Sequence, residues 1–133
     1  MSSRAYDKQA DGLRPKVIIE WNGTARWFEL STQIVVPNGR EQIFDFFSDA
    51  FQLELITPEW LKFRILTPSP IRMGAGCLID YCIHLHGLPV RWRTEISSWD
   101  PPFSFTDRQI SGPYRMWEHF HSFEQIEDGT VVR

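Results

Sequence analysis

One stretch, residues 87–105 (GLPVRWRTEISSWDPPFSF), constrains the fold more than any other part of the chain. Up to residue 97 its apolar and polar side chains alternate, which is the period of a β-strand with one buried face. The tandem prolines at 101–102 donate no ladder hydrogen bonds, so the strand must end there. Because aromatic residues resume at once, the stretch predicts a curved sheet wrapped around an apolar space. Four residues form the predicted inner face: Val90, Trp92, Thr94 and Ile96.

Composition narrows the class of protein. A length of 133 residues fits one domain. The 14% aromatic content, with 6 Trp and 10 Phe, either fills a core or lines an apolar pocket. A net charge of −3 offers no basic surface, so nucleic acid is not an expected partner. No signal peptide is visible, and no apolar run approaches the roughly 18 residues that span a bilayer. We therefore expect a cytoplasmic protein without a membrane span.

The two cysteines fit that expectation. Cys77 and Cys82 lie five positions apart in one predicted strand, which places them on opposite faces. They cannot pair within that strand, so we interpret them as reduced structural thiols.

The N-terminal 27 residues are predicted to be a tail. Its first 15 residues are polar and lack periodicity. Residues 16–21 either form a short extra strand or are an irregular lead-in. In the first case Asn22-Gly23, a dipeptide typical of two-residue type I′ turns, joins them to the next strand.

Residues 28–133 are predicted to form the domain. Strand 28–36 is followed by two short helices, 40–50 and 51–56, and then by successive antiparallel strands, which indicates an α+β fold. Ile43, Phe46, Phe47 and Ala50 follow helical spacing and form the predicted inward stripe of the first helix. The later predicted strands are 61–67, 77–86, 88–99, 103–110, 115–126 and 130–132.

Three segments in this order resemble the START-like SRPBCC superfamily, which includes polyketide cyclase/dehydrase-like and coenzyme Q-binding START proteins. They are PNGREQIFDFFSDAFQLELITPEWLKF, PSPIRMGAGCLIDY and LPVRWRTEISSWDPPFSFTDRQISGPYRMWEHFHSFEQIEDGTVV. The resemblance covers residues 28–133 and implies a helix-grip fold, in which a curved antiparallel sheet encloses a long C-terminal helix with a pocket between them. Such a fold serves carriers, cyclases and regulators alike, so it does not fix the function.

The sequence departs from that fold at its C-terminal end. After 130–132 no residues remain for the long helix or a last strand. We expect either a fragment or truncated product, which we favour, or a partner or oligomer that covers the sheet. Otherwise the concave face with Trp92 and Phe105 would expose a large apolar patch, which soluble monomers rarely tolerate.

The leading hypothesis is a binding protein for a small hydrophobic ligand, such as a lipid, an isoprenoid or quinone, or a polyketide-like molecule. On strand 115–126, Trp117 and Phe123 share a face with two histidines. If the rings point inward, the histidines enter the cavity with them; alternatively the strand is two-sided and the histidines lie at the surface. Rings would supply stacking, while Tyr81 and the histidines would hydrogen-bond. The predicted ligand-binding residues are Trp60, Tyr81, Trp92, Phe105, Trp117, His119 and His121.

No metal, cofactor or catalytic residue is predicted. His84-x-His86 and His119-x-His121 each share a strand face, but the two pairs are expected on opposite sheet faces, and zinc requires three or four convergent ligands. No nucleophile elbow is present. Arg91 is expected on a solvated outer face with its neighbouring charges.

Two other functions stay open at this point. In a cyclase/dehydrase-like enzyme, His119 or His121 would exchange protons while the cavity positions a flexible polyketide. In an interaction module, the aromatic face would dock a partner helix.

Overall fold

An antiparallel sheet of eight strands forms the centre of the computed structural model, which describes residues 15–133. The strands are β1 (Lys16–Asn22), β2 (Trp27–Val36), β3 (Arg64–Ile65), β4 (Leu78–Leu85), β5 (Leu88–Asp100), β6 (Ser104–Ser111), β7 (Glu118–Ile126) and β8 (Gly129–Val132). Their order across the sheet is β1-β2-β8-β7-β6-β5-β4-β3. Helices α1 (Arg40–Ser48) and α2 (Gln52–Ile56) and a 3₁₀ helix (Glu59–Leu61) connect β2 to β3. This is the predicted α+β order, with two short helices ahead of the antiparallel strands.

The extra N-terminal strand is present. The first 14 residues of the predicted tail lie outside the described residues, but β1 pairs with β2 from Lys16↔Gln33 to Asn22↔Trp27. The predicted two-residue turn is wrong, because four residues, 23–26, connect the strands. Asn22 explains the longer turn: its side-chain oxygen accepts the Ala25 backbone N–H at 2.9 Å, and its carbonyl accepts that of Arg26 at 2.7 Å. Arg26 supplies the left-handed residue, with φ 61°.

β2 belongs to two parts of the sheet. Its first seven residues pair with β1, whereas its last three residues pair with β8, from Ile34↔Val132 to Val36↔Thr130. Because the inward side of β2 continues into the β1–β2 hairpin, one face of that hairpin extends the apolar side of the sheet. Five apolar side chains on this face are more than half exposed: Val17, Ile19, Trp21, Phe28 and Leu30.

Helix α1 covers one end of the concave face. Ile43 and Phe44 are buried there and pack against strand residues Phe105, Phe123 and Val132. The predicted stripe was wrong at one position, since Phe46 is 39% exposed and Phe44 is 3% exposed. Ile43 and Phe44 are the buried residues of this helix, and Phe47 is partly buried against the same cluster, so the inward face includes Phe44 in place of Phe46.

Strand β5 carries a bulge that reshapes the core. Its pairing with β6 shifts register between Ile96 and Ser98. The extra residue lets Ile96 and Trp99 point to the same side, although they are an odd number of positions apart. Trp99 therefore packs against both buried clusters, the one beneath α1 and the one formed by Ala50, Ile79 and Ile96. The strand then ends at Asp100, as the tandem prolines predicted.

The predicted strand 61–67 is much shorter than expected. A 3₁₀ turn occupies its start and is followed by Lys62 in a left-handed conformation, with φ 46°. Only Arg64–Ile65 then pairs with β4. Within residues 15–133, no helix is both long and apolar enough to cross a membrane.

Candidate functional site

A row of aromatic rings runs across β4, β5 and the segment before β7 on the concave face. Tyr81 and Trp92 are cross-strand neighbours whose rings stack at 5.6 Å. Trp92 also meets Trp117 at 6.1 Å and Tyr114 at 5.6 Å. The sequence interpretation missed Tyr114, because it lies in a loop where strand alternation gives no information.

The row continues into two imidazole rings. Trp117 lies 6.4 Å from His119, the His119 and His121 rings are 3.7 Å apart, and His121 stacks on Phe105 at 4.2 Å. Both histidines thus lie on the concave side, with side-chain exposures of 48% for His119 and 15% for His121. Six of the seven predicted ligand-binding residues are joined in this row: Tyr81, Trp92, Phe105, Trp117, His119 and His121.

Trp60 is placed apart from the row. It lies in the 3₁₀ helix, and its side chain is 70% exposed. Among the described residues, it makes none of the ring contacts that build the row. Its role in ligand binding stays a prediction.

A carboxylate completes the histidine pair. Asp107 of β6 lies opposite His119 of β7. Its Oδ2 is 2.8 Å from Nε2 of His121 and 3.8 Å from Nδ1 of His119. One ligand atom from each of the three side chains falls within 4.8 Å of the others, so this is the place where described residues could hold a metal. Sequence interpretation missed Asp107 because only the β6–β7 register brings it to the histidines.

The surroundings shift the pKa of two groups in this region. Burial raises the pKa of the Tyr81 phenol to about 12. Desolvation, followed by the neighbouring His121, lowers the pKa of His119, and the Asp107 charge opposes this shift. Since His119 is 48% exposed, its desolvation comes from the rings packed around it and not from full enclosure.

Two polar atoms in the middle of the concave face have no partner. Trp92 and Thr94 are 8% and 5% exposed. Within residues 15–133 neither the Trp92 Nε1 atom nor the Thr94 Oγ1 atom has a partner in good hydrogen-bond geometry, although the Thr94 hydroxyl is close enough to the Tyr81 phenol to oppose the rise in the pKa of that phenol. Buried polar groups are nearly always paired, so these two atoms are exceptions, as are Arg40 Nε and His84 Nδ1 elsewhere in the described residues.

The outer face of the same strands carries the charges. Arg93 pairs with Asp80 at 2.7 Å, and Arg108 pairs with Glu95 at 2.8 Å. The Arg93 interaction lowers the pKa of Asp80. This is the salt-bridged exterior that alternation predicted for the strand of Trp92.

Two hollows lie in the described part of the molecule, and the histidines line neither of them. One, of about 510 Å³, touches Tyr81 and Trp92 and is otherwise lined by residues 66–68, by residues 78 and 80, and by the charged side of β5. The other, of about 470 Å³, lies between α1 and residues 69–73 and touches Phe44 and Trp99. Neither hollow encloses the row. In the described part of the chain, its exposed rings therefore form an open apolar surface.

Comparison with solved structures identifies the fold. Protein Ms6760 from Mycobacterium smegmatis is 17% identical, with a TM-score of 0.65, over 88% of this chain and 75% of that chain. A structural-genomics target from Rhodobacter sphaeroides is 15% identical, with a TM-score of 0.61, over 88% of this chain and 74% of that chain. Ara h 8.0201 is 11% identical, with a TM-score of 0.56, over 90% of this chain and 74% of that chain. No family model and no curated protein matches the chain.

These similarities confirm the predicted fold class. The chain has the curved antiparallel sheet and two short helices of a helix-grip fold, which it shares with these structures. At such low identity the likeness concerns the fold alone, because one fold serves many functions.

Proposed function

We propose that this chain binds a small, planar hydrophobic ligand that carries a carbonyl group, and that it does so as a START-like member of the SRPBCC superfamily. The observation that supports this most is the unpaired indole N–H of Trp92 together with the unpaired hydroxyl of Thr94, two positions along the same strand face, both on buried residues. A quinone or a polyketide-like ring system matches this surface better than an unfunctionalised hydrocarbon.

The rings supply the apolar part of the site. Trp117 is 37% exposed and Tyr114 is 52% exposed, so both offer ring surface that a ligand can cover. The two stack on each other at 5.1 Å, and both meet the buried Trp92. Stacking of a planar ligand against such rings removes apolar surface from water and adds favourable ring–ring contacts.

The polar atoms supply orientation. Leaving a buried donor unpaired costs about 1–3 kcal/mol. A ligand carbonyl that accepts from Trp92 Nε1 and Thr94 Oγ1 would recover that cost, whereas a hydrocarbon chain would not. His121 already uses its Nε2 atom on Asp107, so this second polar group is held in a fixed orientation beside the row.

The test is a titration of tryptophan fluorescence with a short-chain ubiquinone analogue and, separately, with oleic acid. We expect saturable quenching by the quinone. Thr94→Val keeps all six tryptophans and the side-chain shape, and we expect it to weaken quinone binding by about fivefold, the value of one neutral hydrogen bond. Oleic acid binding should be unaffected by this substitution.

Thr106→Val is the matched control. Thr106 lies on the outer face, where its hydroxyl accepts a hydrogen bond from Ser98 at 2.8 Å. Its quinone affinity should equal that of the unmodified protein. Unchanged tryptophan emission with the quinone, or equal affinities of the Thr94 and Thr106 variants, would contradict the proposed site.

One observation favours a second candidate, an enzyme of the cyclase/dehydrase kind. The 2.8 Å contact between Asp107 and His121 fixes the imidazole in the way that a general base is commonly held. The same titration separates the two candidates by analysis of the added compound. Recovery of that compound unchanged supports binding alone, whereas a new product that disappears with His121→Phe supports catalysis.

A further inference from the structure

We propose that Asp107, His119 and His121 form a binding site for a divalent transition metal, with Zn²⁺ the best fit. Two imidazole nitrogens and one carboxylate oxygen are the donor set that zinc and related ions accept from proteins. The site does not depend on the apolar ligand proposed above, and a metal alone tests it.

The distances between the donor atoms are near those expected around a bound zinc ion. Ligand bonds of about 2.0–2.1 Å at tetrahedral angles place neighbouring donor atoms about 3.3 Å apart. The Asp107 oxygen lies 2.8 Å from the His121 nitrogen and 3.8 Å from the His119 nitrogen, values on either side of that spacing. The third pair of donor atoms, on His119 and His121, lies within 4.8 Å, so the His119 ring has the largest adjustment to make, up to about 1.5 Å.

The backbone holds the three donors in place. Asp107 and His119 are directly opposite in the β6–β7 ladder. His121 pairs with Phe105, two residues along each of the same strands. Cross-strand neighbours point to the same side of a sheet, so the three side chains converge by register. Stacking on Phe105 at 4.2 Å further restricts the His121 ring.

The charge of Asp107 is available to a cation. Within residues 15–133 its ion pairs are with the two histidines alone, and neighbouring Arg108 pairs with Glu95 on the other face. No lysine or arginine of the described residues thus neutralises this carboxylate. With His119 48% exposed, the site is open to solvent, and water or a ligand oxygen would complete the coordination.

A second histidine pair of identical spacing provides the control. His84 and His86 also lie two positions apart, but the cluster around Asp107 is the one group of three potential ligands found in the described residues. His84 lies in β4 and His86 follows that strand with a left-handed φ of 51°, so this pair is a control for two closely spaced histidines that no third ligand joins.

The experiment is isothermal titration calorimetry of the purified chain with Zn²⁺, accompanied by visible absorption of bound Co²⁺. We expect one site per chain. Asp107→Asn preserves the shape of the side chain while removing its charge, and we expect it and His119→Ala to weaken Zn²⁺ binding by at least about tenfold. The His84→Ala/His86→Ala double variant should bind as the unmodified protein does.

A measurement on the unmodified protein guards against misfolded variants. Zn²⁺ should shift the imidazole NMR signals of His119 and His121 and leave those of His84 and His86 in place. Absence of Zn²⁺ binding, shifts confined to His84 and His86, or equal affinity of folded Asp107→Asn would overturn the proposal. Quinone binding that persists without metal would leave the apolar site standing, so failure of either proposal can be told from failure of the other.

Discussion

The two ends of the concave face use the same kinds of ring for opposite purposes. At the closed end, Ile43 and Phe44 of α1 lie on Phe105, Phe123 and Val132, and all five are buried. At the open end, no helix of the described chain covers Tyr114 and Trp117, which stay 52% and 37% exposed. The open end comprises Tyr81, Trp92, Thr94, Tyr114 and Trp117.

The two ends differ in whether a helix packs on the rings and in whether the buried polar atoms have hydrogen-bond partners. Phe44 makes edge-to-face contacts with Trp99, Phe105 and Phe123, which fill the closed end with matched apolar surfaces. The open end contains the unpaired Trp92 and Thr94 atoms. An aromatic content of 14% therefore describes both a core and a binding surface in this chain, and only the arrangement of the neighbours distinguishes them.

Truncation of Phe44 should have the largest effect on stability. Phe44 is 3% exposed, so Phe44→Ala removes a filled ring position and leaves a cavity. We expect a loss of about 3–5 kcal/mol in the free energy of unfolding, measured by urea denaturation. Trp117→Ala at the open end removes a larger side chain, yet it should cost under about 2 kcal/mol, because its ring is partly in water already.

That pair of variants tests the division itself. If Trp117→Ala destabilises the protein as much as Phe44→Ala, the open end is a second core, and the distinction between the two ends is wrong. A smaller loss in the free energy of unfolding for Trp117→Ala, accompanied by weaker quinone binding, would support the assignment of the open end to ligand binding.

Two buried threonines make a finer test of the same division. Thr130 is fully buried, and its hydroxyl donates to the Asn38 carbonyl at 2.7 Å. Thr130→Val leaves that carbonyl without its donor, so we expect a loss of about 1–3 kcal/mol. Thr94→Val removes a hydroxyl that has no well-formed hydrogen bond within residues 15–133, so the free protein should change by less than about 0.5 kcal/mol or become more stable.

Denaturation midpoints of both variants, taken with calorimetric melts, decide the outcome. Equal losses at the two positions would mean that the Thr94 hydroxyl is satisfied in solution. In that case the argument for a ligand carbonyl at the open end would lose its main support.

Much of the fold was accessible from the sequence, because its signals are local. Alternation in β5 placed Trp92, Thr94 and Ile96 on the inner face, and the tandem prolines ended the strand at Asp100. The errors occurred where two local signals compete. At Asn22, a dipeptide typical of tight turns gave way to the side-chain hydrogen bond that closes a longer one.

The site was accessible only in part, for a different reason. Strand alternation in the sequence predicted that Trp117, His119 and His121 share one face, and the structure places them together. Asp107 could not be added, because its position beside the histidines depends on the β6–β7 register, a non-local property. The missing hydrogen-bond partner of Thr94 is likewise visible only when every neighbour is placed.

The last predicted effect concerns Tyr81 and the response of the open end to alkali. Burial raises the pKa of its phenol to about 12, above its ordinary value near 10. The unfolded chain therefore loses this proton first, and the folded state is disfavoured as pH rises from about 10 towards 12. Below about pH 10 the phenol is protonated in both states and contributes no pH dependence.

Tyr81→Phe isolates this contribution, since other groups titrate alike in both proteins. We expect the free energy of unfolding, from urea curves at about pH 9 and about pH 11, to fall more steeply with pH for the unmodified protein than for the variant. Equal slopes would mean that water reaches the phenol freely. The stacked pair of Tyr81 and Trp92 would then belong to the exposed rim of the row, and the oriented ligand would have to lie closer to Thr94 and the histidines than to β4.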